Sequence, residues 1–480
     1  MNADRIRLRI LHTNDLHSRF EQMPKIAAVI RRLRSEAGEE HTVTLDIGDH
    51  LDRMFPETEG TEGLANIAVL NATGYDAVTL GNNEGLTFSR SMLAKLYAEA
   101  QFHIVASNLP ETATGELPEW ALPYQILTKS GIRIGLIGVT AYFTEYYRLL
   151  GWDIQEPLQV TEQLVRKLRP EVDVLIVMSH LGLRLDERMA QEIPGIDVIL
   201  GGHTHHLLEE AQRMNQALVC ATGKFGQYIG VVDLELDSVS KAILASAGFV
   251  IATEPLEETD SEVKQVIAAY SVLARQTLSH TVAFVDRALP IDWNGDSPLG
   301  NLLAAGLRRV TEAEIGLVNA GQLLGDLNYG PVTSGDLLAL CPSPINPCRM
   351  TLTGAQLLRA LEQALLPEYT EKAIMGFGFR GKVLGTLCLD GMTVEYDPAG
   401  EAGRKIHRVL VGSAPLELQR AYRIGTIDMF TFGIGYLPIA EGTHVEYLLP
   451  DFLRDVLLRE LHAPGAIEDS LHRRWLSIEP

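Results

Sequence analysis

Residues of types that hold divalent cations gather after a series of short apolar runs. They are Asp15 and His17 in "HTNDLH", Asp49 and His50 in "IGDH", Asn82 and Asn83 in "LGNN", His180 in "VMSH", and His203 and His205 in "GGHTH". Carboxylate, imidazole and one amide oxygen make a mixed nitrogen and oxygen donor set. Such a set suits Mn, Fe, Zn or Co, and no thiolate among them demands a soft metal. The amide oxygen is neutral and hard, so it can complete a coordination shell without adding charge that would repel a phosphate. Each piece alone is ordinary, since Asp-x-His pairs, Gly-Asp turns and His-x-His loops are common. Their joint occurrence in order, each after a short apolar run, points to two divalent cations in one site.

The elements that must position these residues are legible around them. "RLRILHTND", "HTVTLDIGD", "DAVTLGNNE", "VDVLIVMSH" and "IDVILGGHTH" are short, apolar and β-branched, and each ends in polar residues. "IRIGLIGVT" is a further strand of the same kind. Between the strands, "MPKIAAVIRRLRSEAG" has helical periodicity and stops at glycine, and "GLANIAVLNATG" is a second helix. Alternating strands and helices imply an α/β domain, in which ligands bind beyond the carboxyl ends of the strands. Near residue 250 the texture changes. "TEPLEETDSEVKQVIAAYSVLARQTLSH" is acidic and then helical, which places a metal-binding domain at 1–255, a linker helix at 256–280 and a second domain at 281–480.

The 480 residues are 46% hydrophobic, ample for two cores, with 62 acidic against 41 basic residues and a net charge of −21. That balance disfavours nucleic acid and anionic membranes as partners. It leaves open a small phosphorylated substrate, because a metal ion supplies local positive charge. The cysteines, Cys220, Cys341, Cys348 and Cys388, match no metal spacing and read as inert buried thiols. The N-terminal stretch has no apolar region of signal length, and no run of 18 apolar residues occurs. The expectation is a cytoplasmic protein, with oligomeric state unreadable.

The order Asp15-x-His17, Gly48-Asp49, Gly81-Asn82, His180 and Gly202-His203-x-His205 resembles the calcineurin-like metallophosphoesterases. More narrowly, "ILHTNDLHSRF" and the long C-terminal half resemble the 5′-nucleotidase and UDP-sugar hydrolase group. The resemblance implies a four-layer αββα sandwich for the first domain, joined by the helical linker to a C-terminal α+β domain. It implies that Asp15, His17, Asp49 and His205 hold one metal. Asp49, Asn82, His180 and His203 would hold the other, with Asp49 bridging. Two metals about 3.5–4 Å apart lower the pKa of a bridging water, and the hydroxide attacks phosphorus in line.

One departure bears on mechanism. The family's Gly-Asn-His-Glu is here "GNNE", with Asn83 at the histidine and Leu86 where an orienting aspartate usually stands. Asn83 can donate a hydrogen bond to a phosphoryl oxygen but cannot transfer a proton, and general-acid help is worth ~10²–10⁴-fold. Either the leaving group departs unassisted or another residue compensates. His50 and Arg53, in "GDHLDRM", are the nearest candidates, against a helix cap for His50 and an ordinary ion pair for Arg53.

The C-terminal half keeps the anchors of the resemblance, with "SPLGNLLAAGLRR" and "GLVNAG" matching an opening helix and an Asn-Gly-Gly stretch. Its binding residues differ. Leu324 stands at an arginine, Pro342-Ser343 at a Pro-Phe whose ring stacks on the base, and Ile434 at an aspartate that takes ribose hydroxyls. Trp293 lies near a further missing arginine. Substrate-binding candidates are Asn319, Phe377 and Arg380 in "MGFGFRGKVLGTL", and Phe430 and Tyr436 in "DMFTFGIGY". Packed rings and a solvated arginine are the competing account of these residues.

Three functions are weighed on this sequence. The first is a dinuclear-metal phosphohydrolase acting on a small phosphate ester, most readily a nucleotide. The second is a metal-holding protein of weak or no activity that senses a phosphorylated metabolite. The third, a metal-dependent nuclease, lacks the basic stripe it would need.

Overall fold

In the computed structural model, which describes residues 5–478, the alternation of strand and helix resolves into two six-stranded sheets packed face to face. The chain divides into two compact units, Met1–Arg275 and Gln276–Pro480. In the first unit, β1 (Arg5–Thr13), β2 (Thr42–Asp46), β3 (Ala77–Val78) and β4 (His103–Ile104) run parallel. The long hairpin of β11 (Tyr228–Asp237) and β12 (Ile243–Ala252) extends that sheet antiparallel from β1. The second sheet has a parallel centre of β6 (Ile132–Thr140), β7 (Val174–His180), β8 (Val198–Gly201) and β10 (Ala217–Ala221). Its edges are the antiparallel strands β5 (Gln125–Lys129) and β9 (Gln212–Met214).

The burial pattern explains why these runs are so apolar. β2, β7, β8 and β10 are buried along their whole lengths, as parallel strands covered on both faces must be. Leu8, Ile10, Val43 and Leu45 of one sheet meet Ile134, Leu136, Ile176 and Met178 of the other in a shared core. On the outer face of the first sheet pack the helices Met23–Ala37, Leu64–Thr73 and Arg90–Tyr97. Pro157–Leu168 and Leu183–Glu192 cover the second sheet. The four-layer sandwich follows from this. The helix Met23–Ala37 opens with Pro24, buries Ile26, Ala27, Val29, Ile30 and Leu33, and ends where the Gly38 N–H bonds Arg34 O at 2.7 Å.

The helix expected as a linker, Ser261–Leu278, lies mostly within the first unit, whose boundary falls after Arg275. Val263 joins the core under Met23–Ala37, and Arg31 holds Asp260 and Glu262, each at 2.7 Å.

The second unit is α+β. Its main sheet has the order β17 (Leu387–Asp390), β14 (Ile315–Asn319), β21 (Ala421–Ile427), β16 (Pro347–Thr353), β22 (Thr443–Tyr447). "SPLGNLLAAGLRR" forms the helix Pro298–Val310, which buries Leu299, Leu302, Leu303 and Leu307 against this sheet. Thr333 and Thr353 each cap a helix through a reciprocal side-chain box, fixing the starts of "SGDLLAL" and "GAQLLRALEQ". All four cysteines are buried and unbridged, and burial alone pushes Cys220 up to about 12, so they are inert thiols. Among the described residues no helix is long and apolar enough to cross a membrane.

Candidate metal centre

The loops after β1, β2 and β3 are tied to one another before any side chain is considered. Asp15 N–H bonds Gly48 O at 3.0 Å, His17 N–H bonds Asp49 O at 2.8 Å, and Ser18 N–H bonds His50 O at 3.1 Å. The Glu84 carboxylate accepts the N–H groups of Asp49 (3.0 Å), Leu51 (2.8 Å) and Gly81 (2.7 Å), lacing the second loop to the third. The loops approach so closely that glycine is required at two points. A Cβ on Gly48 would lie 2.3 Å from Gly81 N, and one on Gly81 would lie 2.0 Å from Asp49 Oδ1. Asp15, His17, Asp49, His203 and His205 all adopt left-handed backbone with φ from 46° to 73°. That conformation is uncommon for non-glycine residues, and its clustering here marks a site where the surrounding bonds hold strain in place.

These loops bring six of the seven expected ligands together, and Asn82 adjoins them through Asn83, whose N–H bonds Asp49 Oδ1. Asp15, His17 and His205 present donor atoms within 4.8 Å of one another, and so do Asp15, Asp49 and His180. Asp49 reaches both groups, with Oδ1 3.4 Å from His180 Nε2 and Oδ2 3.8 Å from His17 Nε2. Asp15 Oδ1 lies 3.3 Å from His205 Nε2, and the His17 and His205 Nε2 atoms are 3.3 Å apart. The His203 ring stands 5.3 Å from that of His180. His180 Nδ1 is 2.8 Å from Ile47 O, which leaves Nε2 to face the cluster.

The donor set fits divalent cations on an observation of its own. Asn82 Oδ1 is buried with no hydrogen-bond partner, a costly arrangement that a coordinated cation would relieve. Charge points the same way. Burial works against the charged forms, but His180 and His17 hold Asp49 far below the usual carboxylate range. Asp49 in turn lifts His180 to about 10 against its own desolvation. His203 is lowered to about 4 by burial and by the neighbouring His180 charge, so it is a neutral donor. A cation pair would replace these protons as the partner of the carboxylates.

The remaining candidates fall elsewhere. The His50 ring is sealed between carboxylates, Nδ1 lying 3.3 Å from Asp46 Oδ1 and 3.5 Å from Glu84 Oε1. Glu84 and Asp46 raise it despite its burial, so it is an internal counter-charge rather than a proton donor to substrate. Arg53 grips Glu59 with Nε at 2.7 Å and Nη2 at 3.0 Å, and donates to Thr87 O at 2.7 Å. It is a loop clamp. Neither residue belongs to the two donor groups. Asn83 does join the cluster, but as a brace. Its N–H bonds Asp49 Oδ1 at 2.8 Å, and Nδ2 sits 3.0 Å from both His17 Nδ1 and Leu51 O.

Sequence reasoning missed two residues. Glu84, third after Gly81, accepts the Gly81 N–H at 2.7 Å at the start of the helix Asn82–Thr87; that spacing was the available signal. Asp52 is buried with Oδ2 3.4 Å from His17 Nδ1, and nothing local in "GDHLDRM" distinguishes it.

In the second unit most substrate candidates are core. Asn319 is buried and donates to Leu384 O at 2.7 Å. Phe430 is buried, and buried Tyr436 donates its hydroxyl to Gly385 O at 2.6 Å. Phe377 is 53% exposed and pairs at 6.0 Å with Phe432, itself 43% exposed. The Arg380 N–H bonds Ser343 Oγ at 3.1 Å, and its side chain is partly buried.

Comparison with known proteins agrees with this geometry. The calcineurin-like phosphoesterase family matches residues 8–207, and the 5′-nucleotidase C-terminal domain matches residues 273–439. An uncharacterized metallophosphoesterase of Bacillus subtilis, YunD, is 37% identical over 458 residues, spanning 95% of this chain and 99% of its own. The 5′-nucleotidase of Bos taurus is 24% identical over 490 residues, covering 87% of this chain and 81% of that one. The structure of a 5′-nucleotidase precursor from Thermus thermophilus superposes with a TM-score of 0.60 at 22% identity, over 99% of this chain and 100% of that chain. The chain therefore belongs to the calcineurin-like metallophosphoesterases with a 5′-nucleotidase C-terminal domain, a family of metal-dependent phosphoester hydrolases.

Proposed function

We propose that the chain hydrolyses a small phosphate ester at the cluster of Asp15, His17, Asp49, Asn82, His180, His203 and His205. The observation that carries this is the convergence of Asp15, His17, Asp49, His180 and His205, beside a buried Asn82 Oδ1 without a hydrogen-bond partner. Asp15, His17, Asp49 and His205 would hold one divalent cation, and Asp49, Asn82, His180 and His203 the other. Bound there, the pair supplies Lewis-acid charge and lowers the pKa of coordinated water. The chain's own groups orient that pair. His180 is aimed by Ile47 O, Asp49 by the Asn83 N–H, and the whole loop by Glu84.

No side chain of the cluster is free to protonate the leaving oxygen, because its imidazoles are spent as ligands and Asn83 has no proton to transfer. Leaving groups of low pKa are therefore favoured, and alkyl esters draw their proton from solvent. A nucleotide is the substrate class best supported, by the names of the relatives.

The test is phosphate release by metal-stripped protein resupplied with Mn²⁺, Co²⁺, Zn²⁺ or Mg²⁺. An aryl phosphate, AMP and UDP-glucose serve as substrates, with Asp49→Asn as the blank. Metal-dependent turnover absent from the blank is expected. A folded protein that binds two ions and turns over nothing would leave the sensor reading, which the bracing role of Asn83 favours.

A further inference from the structure

We propose that Arg19 and Lys224, stacked on the shared ring of Phe225, form a subsite at the His17–His205 edge of the cluster that binds a second anionic group of the substrate. Phe225 packs edge-on against His17, with centroids 5.6 Å apart, and lies 6.3 Å from the ring of His205. Its ring carries the Lys224 ammonium at 4.7 Å and the Arg19 guanidinium at 4.6 Å from the centroid. Phe55 lies 5.0 Å from the same guanidinium. Both cations thus sit one ring away from two candidate metal ligands. The His205 side chain is 33% exposed, so the cluster opens toward this edge.

The backbone is built to keep them there. Phe225 has φ 61°, which is strained for a bulky aromatic, and its N–H bonds Asp15 O at 2.7 Å. The loop that presents Lys224 is therefore fastened to a ligand residue. Arg19 follows His17 by two residues, and its N–H bonds Leu16 O at 3.1 Å.

The charges are only partly neutralised by neighbours, since Glu21 pairs with Arg19 at 3.7 Å. Lys224 has no ion-pair partner among the described residues. Arg19 Nε is buried without a hydrogen-bond partner. Two cations packed on one ring at the edge of a candidate metal site favour an anion bound between them and that site. In a chain where acidic residues exceed basic ones, 62 to 41, such a pair is unusual. A guanidinium offers paired donors to a phosphate or carboxylate, and an ammonium adds a point charge. The ligand class is a phosphate ester bearing a second anion, either a further phosphate, as in a diphosphate, or a carboxylate.

This deepens the hydrolase reading, but its test reads binding. Metal-loaded protein at matched free Mn²⁺ is titrated calorimetrically with orthophosphate, pyrophosphate and phosphonoacetate. The wild type is expected to bind at least one of the two probes that carry a second anionic group tenfold or more tighter than orthophosphate. Arg19→Met and Lys224→Met, which keep the stems on the Phe225 ring, should each lose most of that preference, and the double variant all of it. Loss confined to pyrophosphate identifies a second phosphate; loss confined to phosphonoacetate, a carboxylate; loss for both, charge alone. No preference in the wild type, or one unchanged in every variant, overturns the proposal. Lys224→Met removes only a ring contact and keeps the test available if Arg19→Met unfolds. Should aryl phosphate hydrolysis be absent, the hydrolase reading fails while these titrations still decide the subsite.

Discussion

Replacing Asp52 by Asn tests the support of His17 directly. His17 can ligate through Nε2 only if its proton sits on Nδ1. Two groups compete for that nitrogen. Asp52 Oδ2, 3.4 Å away, accepts an Nδ1 proton, whereas Asn83 Nδ2, 3.0 Å away and anchored on Leu51 O, would donate to a bare Nδ1 and drive the proton to Nε2. The buried negative charge of Asp52 favours the ligating form. Asp52→Asn is nearly isosteric and keeps the Oδ1 acceptor for the Met54 N–H at 3.1 Å, so the turn survives. Its amide nitrogen would then face Nδ1 from one side while Asn83 faces it from the other, and the non-ligating tautomer wins. Loss of an orienting carboxylate behind a metal-bound histidine typically costs about 10–100-fold in affinity, or about 1.4–2.7 kcal/mol. In titrations of the metal-free protein with Mn²⁺, or with Co²⁺ followed by its visible absorption, one dissociation constant should rise by that factor. The event at the His180 side should stay within about threefold, since Asp52 adjoins only the His17 group. Equal weakening of both events, or of neither, would refute the assignment.

Other outcomes follow from the same geometry. Asn83→His keeps the backbone bond to Asp49 and adds a titratable ring, so hydrolysis of alkyl phosphates should rise relative to aryl phosphates by about tenfold, below the usual general-acid range because Leu86 cannot orient the ring; an unchanged ratio would show that no proton donor is wanted. Metal loading at pH 7 should release protons, because His180, lifted to about 10 by Asp49 against its burial, is charged in the metal-free protein. Calorimetric heats that do not vary with buffer ionisation would contradict this. The same raised value means that the contribution of His180 to metal-free stability is complete below about pH 6.5 and fades as pH climbs through about 10. Asp428, raised to about 7 by burial, binds its proton more tightly folded than unfolded, so it lowers stability as pH rises from about 4 through 7. Asp428→Asn should therefore gain on the wild type in urea midpoint from pH 5 to pH 8, and a constant gap would rule this out.

The candidate ligands were legible in the sequence because a metal needs particular atoms at strand ends, and both the residue types and the strand ends show in a local reading. Direction did not show. His50 follows Asp49 immediately, yet the left-handed turn at Asp49 sends it into the pocket of Asp46 and Glu84. Asn83 occupies the histidine's place, but its amide is drawn to His17 and Leu51, which only the folded loops bring near. In the second unit, Phe377 and Phe430 look alike as aromatics in glycine-rich stretches. One is half exposed and the other wholly buried, a difference set by long-range packing.

The split of the ligands between the sheets has a mechanical side. Asp15, His17, Asp49 and Asn82 follow strands of one sheet, while His180, His203 and His205 follow strands of the other. Cations bound among them would act as rivets across the seam of the sandwich at its carboxyl end. A ligand present at a hundred times its dissociation constant stabilises the folded state by about 2.7 kcal/mol. Here that gain would fall on the seam, so chelation would loosen this edge first and leave the opposite edge, closed by Leu8, Ile134 and Val174, to hold the two sheets together.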